Sequence, residues 1–126
     1  MKTIYNTTIT YKGLFASKFM AEGIMLIFPE TTAMTEIKEY SYLIEQAEIQ
    51  DNIAVGDLVR IGEDNFTITN LGEIAQKNLV ELSHITLKFG SPTTSVMPGT
   101  IYLESKGIPQ IEKGTKLSIL KTNQDN

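Results

Sequence analysis

Cysteine is absent from the 126 residues, and histidine and arginine occur once each, as His84 and Arg60. Without cysteine there is no disulfide framework, no thiolate zinc site and no thiol nucleophile. One histidine leaves a metal site dependent on carboxylates, and no tight carboxylate cluster stands out, so neither a metal nor another cofactor is expected. Long apolar runs are also missing. The longest, Ile24–Phe28, falls far short of the roughly 20 residues a membrane-spanning helix needs. The opening MKTIYNTTITYKG is polar and alternating, unlike a signal peptide. A cytoplasmic protein with no direct membrane insertion is the expectation. Cations are scattered, and 15 acidic against 11 basic residues give a net charge of −4. Clustered cations are what a phosphate backbone demands, so no nucleic-acid partner is expected.

What is present suits one core. With 41% hydrophobic and 21% charged residues, residues 1–126 are read as a single ordered domain. Thr3–Tyr11 alternates and is rich in β-branched and aromatic residues, the pattern of a strand. Leu14–Ala21 offers about two helical turns, with Phe15 and Phe19 four residues apart. Ile24–Phe28 reads as a strand buried on both faces, and Thr31–Glu36 as a loop or single helical turn. Tyr40–Glu45 alternates again, placing Tyr40 and Tyr42 on one packed face. Leu58–Ile61, a turn at Gly62–Asn65 and Phe66–Asn70 form the clearest hairpin. Thr100–Leu103 and Lys116–Leu120 are the last strands. Ala54–Ile61 and Glu112–Ile119 form a weak internal echo, each placing a glycine just before an apolar strand, as small barrels do at tight corners. With seven or so strands and one or two short helices, the fold expected is mostly β, a small closed or partly open β-barrel; a β-sandwich is the alternative.

Asn70–Phe89 is the stretch with a chemical candidate. In Glu73–Leu82 the apolar residues Ile74, Leu79, Val80 and Leu82 can gather on one inner side of a helix. Gly72 and Ser83 are its plausible ends. From His84 the period becomes two: Ile85, Leu87 and Phe89 face one way, His84, Thr86 and Lys88 the other. The imidazole therefore opens the polar side of a strand. Gly90–Pro98, rich in Ser, Thr and Pro, reads as a mobile flap, and the tail after Lys121 as frayed.

Several of these stretches resemble one family. The opening Thr3-Ile4-Tyr5-Asn6-Thr7-Thr8-Ile9-Thr10, the pair Glu39-Tyr40, the run Asn78–Phe89 (NLVELSHITLKF) and Pro98-Gly99-Thr100-Ile101-Tyr102 are similar, in order and spacing, to the glucitol/sorbitol-specific enzyme IIA component of the bacterial phosphotransferase system. The resemblance covers nearly the whole chain and is most specific around His84. It implies a barrel-forming cytoplasmic carrier that takes a phosphoryl group from the histidine of HPr and passes it to the IIB part of a membrane sugar permease (IIB/IIC). It also implies that the family's phosphorylated histidine follows the Glu-Tyr pair by a few residues. The matching position here is Ile44, or a near neighbour, and no histidine stands there.

His84 is then the one histidine able to carry phosphate. Thr86 projects from the same face about 7 Å along the strand and could reach a phosphoryl oxygen; Lys88, roughly 13 Å away, could attract a phosphoprotein. Glu36, Glu39, Glu45 and Glu48 read as a solvated acidic edge. Exposed strand edges would be compatible with a homodimer. The reading from another class is a divergent relative that keeps the barrel, lacks the chemistry and acts as a binding or regulatory module.

Overall fold

In the computed structural model, which describes residues 1–31, 35–92 and 95–122, eight strands close into a barrel. In chain order the elements are β1 (Lys2–Lys12), α1 (Ala16–Met20), β2 (Ile24–Pro29), α2 (Thr35–Glu39), β3 (Ser41–Ile44), β4 (Leu58–Ile61), β5 (Asp64–Leu71), α3 (Ala75–Leu82), β6 (Ile85–Phe89), β7 (Thr100–Leu103) and β8 (Lys116–Lys121). Around the barrel they run β1-β3-β2-β6-β7-β5-β4-β8. Closure excludes the sandwich. It also leaves no free sheet edge among the described residues, so the edge argument for a homodimer does not apply.

The pairing has an internal two-fold pattern. Exchange β1 with β5, β2 with β6, β3 with β7 and β4 with β8, and each pairing maps onto one of the same sense. The parallel pair β2/β3 maps onto the parallel pair β6/β7. The antiparallel pairs β2/β6 and β4/β8 map onto themselves. Finer details repeat too. The β1/β3 register slips between Ile9 and Tyr11, and the β5/β7 register between Ile68 and Asn70. Gly13 N–H donates to Ser41 O as Gly72 N–H does to Thr100 O, each at 2.8 Å. Phe15 (φ −112°, ψ 11°) and Ile74 (φ −111°, ψ 9°) lead into α1 and α3 with the same backbone.

The weak echo is a visible part of this symmetry. Gly56 and Gly114 both have positive φ, 100° and 97°, which glycine adopts without a Cβ clash. Ala54 N–H donates to Asp57 Oδ2 at 2.8 Å, and Glu112 N–H to Thr115 Oγ1 at 3.0 Å. The strands that follow pair with each other, with Arg60 opposite Ser118.

Alternation built most of the barrel, and the departures have local causes. Ile4 and Tyr5 are both buried because the β1/β8 register shifts between Thr3 and Tyr5, turning consecutive residues inward. In β2 only Met25 and Ile27 are fully buried, Ile24, Leu26 and Phe28 being half-exposed, so the strand is not covered on both faces as expected. Tyr40 lies in a turn before β3 and is exposed, whereas Tyr42 is buried; the two do not share a face. Tyr40 instead stacks on Phe19 and meets Phe15. Glu39, expected on a solvated edge, is half-buried and accepts hydrogen bonds from Tyr11 Oη (2.7 Å) and Leu14 N–H (3.1 Å), which hold its carboxyl below the usual range.

The largest correction concerns α3. It buries Ala75 and Leu79, while Ile74, Val80 and Leu82 are exposed. The small Ala75 lets the helix lie close to the barrel, and that contact fixes its rotation; the count of large apolar residues does not. Residues 32–34, 93–94 and 123–126, which carry parts of the expected helical turn, flap and tail, lie outside the described residues. The described ends of the flap are tied down: Gly90 N–H donates to Leu103 O at 2.8 Å, and Met97 N–H to Tyr102 Oη at 2.9 Å.

Inside the barrel the Tyr5 hydroxyl is buried and has no hydrogen-bond partner among the described residues. Its surroundings include Ile27, Val59, Leu79 and Leu87, and burial pushes the phenol up from 10.0 to about 12. An unsatisfied buried hydroxyl costs about 1–3 kcal/mol. Tyr5→Phe should therefore raise stability at pH 7 by about 1 kcal/mol, read by urea denaturation. Because the folded pKa is raised, this phenol's contribution is complete below pH 10 and lost as pH climbs toward 12. The phenylalanine variant should lack that part of the alkaline loss. Equal or lower stability at pH 7 would contradict the account.

Candidate functional site

The site is made where α3 hands the chain to β6. Ser83 N–H donates to Leu79 O at 3.2 Å, and Ser83 adopts the left-handed conformation (φ 54°, ψ 30°) that ends the helix. Among the described residues it is the one non-glycine with positive φ. The reversal delivers His84 to the mouth of a cavity just before β6 begins. Continuing the β2/β6 register past Ile27–Ile85 sets Phe28 opposite His84. The two rings meet edge to face, with centroids 5.0 Å apart at 84°. Neither ring nitrogen of His84 has a hydrogen-bond partner among the described residues.

The cavity, about 220 Å³, is lined by Phe28, Asn78, His84, Thr86, Gly99 and Thr100, with Ile85, Met97 and Pro98 completing it. Thr86 and Thr100 are direct partners across β6/β7, so their side chains leave the same face. His84 and Thr86 thus come together as expected. Lys88 does not line the cavity; it sits further along β6, opposite Ile24. Among the described residues no group of three or more His, Asp or Glu is placed to hold a metal ion.

Ile44 lies elsewhere. It ends β3 with 0% exposure, packed in the core. Its neighbour Gln46 is exposed and lines a separate cleft of about 490 Å³ with Val80 and Ser83.

The two-fold pattern supplies an internal comparison. At the positions equivalent to Asn78, His84, Thr86, Gly99 and Thr100 stand Phe19, Ile24, Leu26, Tyr40 and Ser41. Phe19 and Tyr40 stack there at 5.1 Å and 28°, and the Ser41 hydroxyl is turned to the Ile37 carbonyl. One half of the barrel places two stacked aromatic rings where the other places the Asn78 amide and Gly99, and an aliphatic Ile24 where the other places the imidazole. Sequence reasoning missed Phe28, Asn78, Gly99 and Thr100. The last three fall inside stretches that carried the resemblance, but nothing in their spacing showed that they converge.

Residues 4–118 match the family of the PTS system glucitol/sorbitol-specific IIA component. The chain belongs to that family. It is similar to the PTS system glucitol/sorbitol-specific EIIA components of Shigella flexneri and Escherichia coli (strain K12), each 29% identical over 117 residues covering 93% of this chain and 94% of the relative. The solved PTS system IIA component from Enterococcus faecalis V583 is 30% identical and superposes with a TM-score of 0.81, covering 92% of this chain and 99% of that one. Among the described residues no helix of this IIA-family chain is long and apolar enough to cross a membrane.

Proposed function

We propose that this IIA-family chain is a cytoplasmic phosphoryl carrier on a single domain, accepting a phosphoryl group on His84 from HPr and passing it to the IIB part of a sugar permease. The observation that carries this reading is His84 itself, with both ring nitrogens unpartnered among the described residues, at an open cavity two of whose symmetry-related positions hold stacked aromatic rings. Phosphoryl transfer asks for an imidazole nitrogen with a free lone pair, in-line access and donors for the peripheral oxygens. The cavity gives access, and the Thr86 and Thr100 hydroxyls stand on its wall. Lys88 acts at longer range, drawing a phosphoprotein toward the strand.

The test is incubation with phosphoenolpyruvate, enzyme I and HPr, followed by intact-mass analysis at neutral pH. The expected result is an acid-labile gain of one phosphate that is absent in His84→Ala. The second reading, a relative that binds without being phosphorylated, is favoured by one observation, the burial of Ile44 at the position the family resemblance assigns to its phosphohistidine. Unlabelled protein beside fully phosphorylated HPr would select it.

A further inference from the structure

We infer that the Asn78 side-chain amide is a direct ligand of the phosphoryl group on His84, and that Gly99 lacks a side chain so that this amide can stay in place. The inference rests on the carrier reading above and adds to it the residue that holds the transferred group.

Three observations carry it. Asn78 and His84 line the same cavity, one from α3 and the other from the start of β6. A Cβ on Gly99 would lie 3.0 Å from Asn78 Nδ2, so the amide sits close beside Gly99, and a side chain there would push it by a few tenths of an ångström. Finally, the fold does not require an amide there. The equivalent position on α1 is Phe19, stacked on Tyr40 at the place of Gly99. Asparagine is a poorer helix former than leucine or alanine, and the Asn78 amide makes no side-chain hydrogen bond among the described residues. A polar group that the frame can replace by an apolar one, kept on the wall of the cavity it shares with the only imidazole, is there for a ligand.

In the reaction, a lone pair on a His84 ring nitrogen attacks the phosphorus of a phosphohistidine donor. The new N–P bond forms as the donor's N–P bond breaks, and the donor imidazole keeps that electron pair and takes up a proton from solvent. The other His84 nitrogen keeps its proton. Asn78 Nδ2–H donates to a peripheral phosphoryl oxygen while charge shifts between the two imidazoles. Being neutral, the amide stabilises those oxygens without adding the strong attraction of a cation, which suits a group that must leave again.

The experiment measures the rate of labelling by phospho-HPr for the full chain and three variants, with the urea midpoint of each. Asn78→Ala should slow labelling roughly tenfold or more, and Asn78→Asp, the same size but negative, roughly a further tenfold. Gly99→Ala should slow labelling with little change in midpoint, because only the end of a flexible side chain has to move. In the labelled wild-type protein the Asn78 side-chain NH₂ signals should shift downfield. Those of Gln76, which donates to the Asp51 carbonyl at 3.2 Å, should stay. Wild-type rates in both Asn78 variants would overturn the inference and leave the carrier reading standing, and so would equal rate losses that track equal losses of stability. Unlabelled wild-type protein would overturn both.

Discussion

Gly72→Ala is expected to destabilise the protein by about 3 kcal/mol or more, with loss of the His84 cavity in the molecules that remain folded. The reason is contact, not backbone conformation. A Cβ at Gly72 would overlap the carbonyls of Met97 and Pro98. These belong to the backbone of the cavity wall and cannot swing aside as a side chain would. To admit the methyl group the loop must leave α3, giving up Gly72 N–H to Thr100 O (2.8 Å) and Ile74 N–H to Pro98 O (2.9 Å). Overpacking costs about 1–3 kcal/mol and each lost hydrogen bond roughly 1. The two-fold partner is the control. A Cβ at Gly13 would meet the Glu39 and Lys38 carbonyls in the same way, so Gly13→Ala should cost as much in urea denaturation. It should spare the rate of His84 labelling per folded molecule, which Gly72→Ala lowers. A Gly72→Ala unfolding free energy within about 1 kcal/mol of wild type would contradict this account of the crossing.

Ile44→His is expected to damage the fold without supplying a working carrier. The residue has 0% exposure among core side chains, so an imidazole there loses apolar packing and buries polar nitrogens. Together these cost about 2–4 kcal/mol at pH 7. Burial disfavours the charged ring and lowers its folded pKa below the unfolded value of about 6.5. The sign follows: the unfolded chain binds the extra proton, so stability falls further as pH drops below about 6.5. Denaturation of Ile44→His at pH 7.5 and 5.5, each against wild type at the same pH, checks both parts. Placed in a His84→Ala background, the new histidine should take up no phosphate from HPr. Label on that double variant would mean that the end of β3 opens to the donor, and would move the site to the position the resemblance assigns.

Period-two patterns were enough to place β4 and β6 within a residue or so, because each has one face in the core and one outside; β7, buried along its whole length, was placed by its short apolar run after Gly99. A small barrel was readable from the number of short strands, but its closure was not: that is set by the β1/β8 and β4/β8 pairings. The two-fold pattern was not. It lies in hydrogen bonds and crossings such as Gly13 on Glu39 and Gly72 on Pro98, and the side chains at most paired positions differ. Only the glycine-led echo before β4 and β8 came through, since positive φ restricts residue choice more than packing does. The rotation of α3 was misread because periodicity counts large apolar residues, whereas the barrel selects Ala75 and Leu79. His84 and Thr86 were legible as strand neighbours. Asn78, Gly99 and Phe28 were not, because they reach the cavity from a helix, a loop and a second strand, and only the fold brings those together.

The most direct measurement is to label the wild-type protein with phospho-HPr, digest it at neutral pH and locate the phosphate by fragmentation that preserves N–P bonds. The account predicts one phosphate per chain, on the peptide holding Ser83-His84-Ile85. A labelled chain whose phosphate sits on any other residue, or a chain that stays unlabelled while HPr is fully charged, would contradict it.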